Sequence, residues 1–190
     1  MPCALNYHSL DPMDYILRKA RLADRDAIAD LIKDSARSLS RVDYSDAQIE
    51  GAIATVFGVD TNLIIDGTYF VAESPGKLIG CGGWSKRKTL FGGDQFPTRD
   101  ANYLDPETEP AKIRAFFIHP QHARQGIARA ILATCEAEAK AAGFKSLELM
   151  STQPGVKLYR ACGYEGDSRV ELEVGKEVTI GLVPMRKDLS

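Results

Sequence analysis

The stretch FFIHPQHARQGIARAIL, residues 116–132, is where this sequence is best equipped to do chemistry. An apolar segment ends at His119-Pro120, where proline stops both strand pairing and helix. An alanine-rich run then begins around Arg124-Gln125-Gly126-Ile127-Ala128-Arg129. A helix start gathers unsatisfied N–H donors with partial positive charge, so it can receive an anion. Gly126 and Ala128 leave that backbone bare, and Arg124 and Arg129 add two cations. Ile127, Ile131 and Cys135 recur every fourth residue and would anchor the helix to a sheet. The plainer reading is a glycine that permits a turn beside solvated arginines. Neither G-x-x-x-x-G-K-[ST] nor a G-x-G-x-x-G after a strand occurs, which excludes the two familiar phosphate loops.

A second group lies in GCGGWSKRKTLFGGDQ, residues 80–95. Glycines at 80, 82 and 83 inside a strand suggest a bulge or another group approaching closely. Trp84, the sole tryptophan, fits either an apolar or cation–π wall for a substrate or ordinary packing. The run Lys86-Arg87-Lys88 could be a solvated face or could meet an acidic ligand. The segment from Asp94 to Glu109 is mainly acidic and could draw in a cation. These two charge cues point in opposite directions.

The elements that must position these groups follow from periodicity. Residues 15–20 read as a first strand. A helix over 23–39 follows, with Asp24 as its cap. Ser45 and Gln48 form a capping box for a second helix. Residues 68–74 and 77–90 form a hairpin around Pro75-Gly76. A long loop over 91–110 is of the kind that is functional or disordered. A strand over 111–119, a helix from 124 to 142 stopped by Gly143, a strand over 145–152 and a short helix from Pro154 follow. A hairpin of 170–174 and 178–185 closes the order. Residues 1–12 show no periodicity and read as a flexible arm, leaving 13–190 as one domain.

At 190 residues and 44% hydrophobic, the chain has room for a real core. A net charge of -2 argues against a nucleic-acid partner. No apolar run is long enough to span a bilayer, and no signal peptide is recognisable. The scattered Cys3, Cys81, Cys135 and Cys162 read as reduced thiols of a cytoplasmic domain, with no metal site.

FFIHPQHARQGIARAIL resembles the acetyl-CoA-binding motif of the GNAT superfamily of N-acetyltransferases. LYRACGYEG, residues 158–166, is similar to that family's Leu-Tyr-x-x-x-Gly-Phe. The order of elements agrees from Tyr15 to about Lys187. The resemblance implies a mixed α/β (α+β) fold: a twisted sheet of six to seven strands, about four flanking helices, and a splay between the fourth and fifth strands. It implies acetyl-CoA as cosubstrate, its pyrophosphate on the backbone of Gln125 to Arg129 with Arg124 beside it, and its pantetheine arm along Phe116, Phe117 and Ile118. Two positions depart from the pattern: Ala123 replaces the usual Gln or Arg, and Thr152 stands where many members carry an asparagine.

Acetyl transfer to an amine needs a neutral nucleophile, donors for the oxyanion and a proton for the departing thiolate. The resemblance implies a strand N–H near Phe117 or Ile118 for the second requirement and Tyr159 as general acid for the third. On its own, Tyr159 could equally be an amphipathic tyrosine with its hydroxyl tied off. The base has no single candidate. The strand Ile113-Arg114-Ala115-Phe116-Phe117 lacks the glutamate common in the family, leaving Glu73, Glu148, Asp94, Asp100, Asp105, Glu107, Glu109 or a water relay. The implied activity is transfer of acetyl to a primary amine, small molecule or peptide, by direct attack in a ternary complex. A non-catalytic acyl-CoA sensor is the alternative, and a homodimer is an arrangement the family commonly uses.

Overall fold

The computed structural model describes residues 15–189; the arm expected over residues 1–12 lies outside them. Seven strands form one sheet: β1 (Ile16–Lys19), β2 (Tyr69–Ser74), β3 (Lys77–Ser85), β4 (Ala111–Ile118), β5 (Ser146–Thr152), β6 (Val170–Gly175) and β7 (Val178–Asp188). Their spatial order is β1-β2-β3-β4-β5-β7-β6, antiparallel except for β4 against β5. Five helices accompany it: α1 (Arg25–Leu39), α2 (Asp46–Thr55), α3 (Thr61–Ile65), α4 (Ile127–Ala141) and α5 (Val156–Ala161). This is the mixed fold expected, with one strand count at the upper end and one helix more.

Both faces of the sheet are covered, so the inner strands alternate between two cores instead of between core and water. On β2, Tyr69 and Val71 join Ile28, Leu31 and Ile32 of α1, whereas Phe70 and Ala72 join Ile131 and Cys135 of α4. Ile127, Ile131 and Cys135 are all buried, as their spacing predicts. Cys81 and Cys135 are buried free thiols, and burial pushes Cys81 up to about 12. A third core joins Ile49 and Ala52 of α2, and Val56 just after it, to Ile180 and Leu182 of β7.

The capping box of α2 is present: Ser45 Oγ accepts from Gln48 N–H, and Gln48 Oε1 accepts from Ser45 N–H. Ser45→Ala should therefore cost about 1 kcal/mol in urea denaturation; an unchanged midpoint would deny the cap any weight. Asp24 holds the expected N-cap position of α1, but its side chain makes no capping bond to that helix. It closes a preceding 3-10 turn, accepting from Arg21 N–H, and pairs with Arg18 at 2.7 Å. Helix α3 was not foreseen; five residues are too few to display a helical period, although Asp60 caps Asn62 N–H at 3.1 Å. Strand β3 ends at Ser85, five residues before the expected end. Beyond it Arg87 leaves the sheet to clasp Asp66 with two bonds of 2.7 Å.

Two features open the sheet. Strands β4 and β5 pair only at Ala111–Leu147 and Lys112–Glu148, then diverge. In the β3–β4 register, Cys81 faces Phe117 and Gly83 faces Arg114, so Gly82 alone opposes both Ala115 and Phe116. That is a bulge, which bends its strand. Ala115 takes the left-handed conformation there, with φ 55°. Gly82 is required because a Cβ would sit 2.8 Å from the Phe116 ring.

Candidate active site

The divergence of β4 from β5 encloses a cavity of about 250 Å³, bordered by residues 113–118 of β4, 149–152 of β5, and Tyr159. One end reaches Ala128 in the first turn of α4. Its other borders are α1, residues 56–58 just after α2, and the loop at Leu90–Gly93. The chain direction fixes which end is which. Strand β4 runs toward Ile118, and α4 begins just beyond it, so Ile113 and Arg114 lie at the far end.

Helix α4 starts one residue after Gly126, three residues later than the expected Arg124. Arg124 and Gly126 both have positive φ, 63° and 83°. This double left-handed turn drops the chain into the helix with residues 124–126 exposed. The first helical bond is Ala130 N–H to Gly126 O at 3.0 Å, so the amides of Ile127, Ala128 and Arg129 emerge from the helix end. Nothing lies within 4 Å of where a Gly126 side chain would begin. The motif residues Arg124 to Arg129 thus frame bare backbone before open space, the arrangement an anion needs.

Along β4, the amide of His119 donates to Ile79 O of β3 at 2.9 Å. Amides alternate along a strand, so that of Ile118 points into the divergence, where it meets Ser35 Oγ of α1 at 3.2 Å. Between the two expected oxyanion donors, the geometry favours Ile118 over Phe117. The Phe116 ring packs edge-on against Tyr159, with centroids 6.3 Å apart, and Tyr159 does the same with Tyr164 at 5.7 Å.

Tyr159 is 8% exposed and borders the cavity. Its hydroxyl has no hydrogen-bond partner among the described residues. By contrast, the Tyr44 hydroxyl donates to Gly181 O at 2.7 Å and accepts from Gln153 N–H, and that of Tyr69 reaches Ala115 O. The tied-off role open to Tyr159 is therefore not taken up. Burial, reinforced by Cys135 and Cys162, raises its phenol well above the usual value of about 10. It stays protonated through the whole physiological range and can give a proton without first being charged.

Trp84 takes the packing role. It is 4% exposed, its Nε1 donates to Glu138 at 3.1 Å, and its ring lies edge-on to Phe144. It does not border the cavity, so the acceptor wall expected of it is corrected. The candidate bases also lie elsewhere. Glu73 pairs with Arg18, Glu148 with Lys112, and Asp100, Asp105 and Glu109 accept backbone N–H groups of their own loop. Glu107 is exposed beside Lys145, 3.6 Å away. Asp94 accepts from Thr61 and Arg99; these bonds hold it below the usual carboxylate value even though burial alone would raise it. Among the described residues no carboxylate or histidine borders the cavity.

The charge that does border it is Arg114, unremarked in the sequence as a structural ion. Its side chain is 3% exposed and that of Asp60, 2.7 Å away, is 2% exposed. The guanidinium also donates to Thr89 O at 2.7 Å and Gly92 O at 2.6 Å. Arg99 binds the same Asp60 and reaches Asp94 at 2.8 Å. This network fastens the long loop over α3 and sets Leu90 to Gly93 against the cavity. The loop is ordered by these buried ions and borders the cavity. The basic run before it serves the same end: Arg87 clasps Asp66, and Lys86 lies 5.5 Å from the Tyr103 ring centroid.

A sheet that parts between its fourth and fifth strands, with a glycine-led helix aimed at the parting, defines an α/β class built to take a ligand along a strand edge. Residues 32–164 match the acetyltransferase (GNAT) family, and the chain belongs to that family. It is similar in fold to a GCN5-related N-acetyltransferase from Rhodopseudomonas palustris, at 16% identity over 95% of this chain and 99% of that one, TM-score 0.68. PaiA N-acetyltransferase from Thermoplasma acidophilum, in complex with coenzyme A, shares 15% identity over 93% and 100%, TM-score 0.64. YncA, a putative acetyltransferase from Salmonella typhimurium with acetyl-CoA, shares 15% over 94% and 95%, TM-score 0.60. No curated protein matches the chain. No helix among the described residues is long and apolar enough to cross a membrane.

Proposed function

We propose that the protein transfers the acetyl group of acetyl-CoA to a primary amine, by direct attack with both substrates bound in the β4–β5 divergence. The observation that carries this reading is the cavity itself, running from the bare start of α4 past a buried tyrosine whose hydroxyl is unengaged. The residues present fit the cosubstrate: open space at Gly126, emerging amides at 127–129, and a free edge on β4. When bound, acetyl-CoA supplies an activated acetyl thioester.

The chain's own residues divide the remaining work. The amides of Ile127, Ala128 and Arg129 bind the diphosphate, with Gln125, Arg124 and the Arg129 guanidinium alongside. Backbone groups of Phe116, Phe117 and Ile118 align the pantetheine arm in the manner of an added strand. The Ile118 N–H, released by Ser35, faces the carbonyl oxygen as negative charge develops on it. As the C–S bond breaks, Tyr159 gives its proton to the departing sulfur, and the proton shed by the newly bonded nitrogen passes through water to the tyrosine oxygen left behind. The acceptor enters from the end walled by α2 and the loop.

Because burial raises the Tyr159 phenol, the alkaline limb of kcat should stay level up to about pH 10, an ordinary tyrosine's value. A fall beginning near pH 8 would remove Tyr159 from the acid role. Free thiol released from acetyl-CoA in step with an acetylated amine tests the activity. Binding of acetyl-CoA with no release for any amine would favour the non-catalytic sensor, a reading that the absence of a carboxylate from the described cavity lining keeps open.

A further inference from the structure

We infer that the acceptor is a small, weakly basic amine on an apolar body, whose nitrogen is largely neutral before it binds. The inference deepens the proposed acetyltransfer and rests on it. Its basis is the chemistry of the cavity's apolar lining. Leu39 of α1, Val56 and Phe57 just after α2, Leu90 and Phe91 of the loop, and Leu182 of β7 border it. Phe57 stands edge-on to Phe117 at 5.6 Å, and Phe91 leans on Phe96 at 5.1 Å, so these rings are fixed.

Such a surface rewards apolar contact and penalises a second charge. The titratable groups that border it are Arg114 from β4 and Tyr159 from α5; the lining residues of α1, α2, β5, β7 and the loop carry none among the described residues. Arg114 is bound to Asp60, and Asp60 also binds Arg99, which binds Asp94. Two cations and two carboxylates leave this cluster without net negative charge, so nothing there attracts an ammonium.

An ammonium entering would therefore be desolvated without compensation, which favours its neutral form. A neutral acceptor needs no side-chain base before it attacks, and the proton its nitrogen sheds afterwards passes through water to the Tyr159 oxygen vacated at sulfur departure. At pH 7.5, an α-amine with a pKa of 7.7–8.0 has on the order of 100-fold more neutral form than a lysine-type amine near 10.4. A polyamine would bring further positive charges onto this apolar surface, where no carboxylate among the described lining residues could pair with them.

Four acceptors separate the possibilities with the wild-type protein: phenylalaninamide, 2-phenylethylamine, glycinamide and spermidine, each assayed by thiol release at pH 7.5. Phenylalaninamide should exceed 2-phenylethylamine in kcat/KM by about tenfold or more, because its amine is the weaker base. It should exceed glycinamide by a similar factor, because only it fills the apolar end. The pH profiles of kcat/KM for the two phenyl compounds should break about two units apart, each at its acceptor's own pKa. Spermidine or glycinamide as the best acceptor, or one shared break near neutrality, overturns the inference and leaves the acetyltransferase reading standing. Acetyl-CoA binding without thiol release for all four overturns both.

Discussion

Replacing Tyr159 by phenylalanine should lower turnover by about 10²-fold or more, the range for loss of a positioned general acid. Acetyl-CoA affinity should move by no more than about twofold. The split is expected from packing. The ring's contacts with Phe116 and Tyr164 are retained in phenylalanine, and only a hydroxyl without a protein partner is removed. An interaction made only as the bond to sulfur breaks affects kcat and not ground-state binding. Steady-state kinetics with saturating acceptor, beside calorimetry for the cosubstrate, read the two quantities separately. Equal turnover would dismiss Tyr159 from the chemistry; a parallel loss of affinity would make it a packing residue.

Asp60→Ala should destabilise the fold by about 3–5 kcal/mol, the usual cost of leaving a buried cation without its partner. Arg114, its side chain 3% exposed, would keep only its bonds to Thr89 O and Gly92 O. Arg99 would lose the same carboxylate, and α3 would lose its cap. The loop at Leu90–Gly93 hangs from this network through the bonds of Arg114 to Thr89 and Gly92. Urea denaturation measures the loss. A change below about 1 kcal/mol, typical of an exposed pair, would mean that the network adds little.

The geometry of the candidate site around α4 was legible in the sequence because it is made from backbone. Gly126, Pro120 and the four-residue spacing of Ile127, Ile131 and Cys135 record where a helix must begin and how it must lie. The splay follows from the order of elements that the family resemblance supplies. The apolar lining of the cavity was not readable, because it comes from segments distant in sequence: Phe57, Leu90 and Leu182 meet only in three dimensions. Trp84 misled for the same reason. A glycine-rich strand suggested an approaching ligand, whereas Gly82 makes room for the Phe116 ring and Trp84 turns into the α4 core. The bulge at Ala115 left no local mark, since alanine does not favour a φ of 55°; the signal lay in its partner strand. Arg114 was noticed only for not being a glutamate, and its partner Asp60 lies more than fifty residues away.

The whole account turns on main-chain donors at the start of α4 holding an anion. The direct measurement is calorimetric titration of acetyl-CoA into the wild-type protein and Gly126→Glu in parallel, with thermal melts of both. A glutamate there sets a carboxylate before the emerging amides and strains a residue at φ 83°. Saturable binding by the wild type, weakened about tenfold or more in a variant that still melts cooperatively, is the predicted result. No heat with the wild type, or equal affinity in the two proteins, would contradict it.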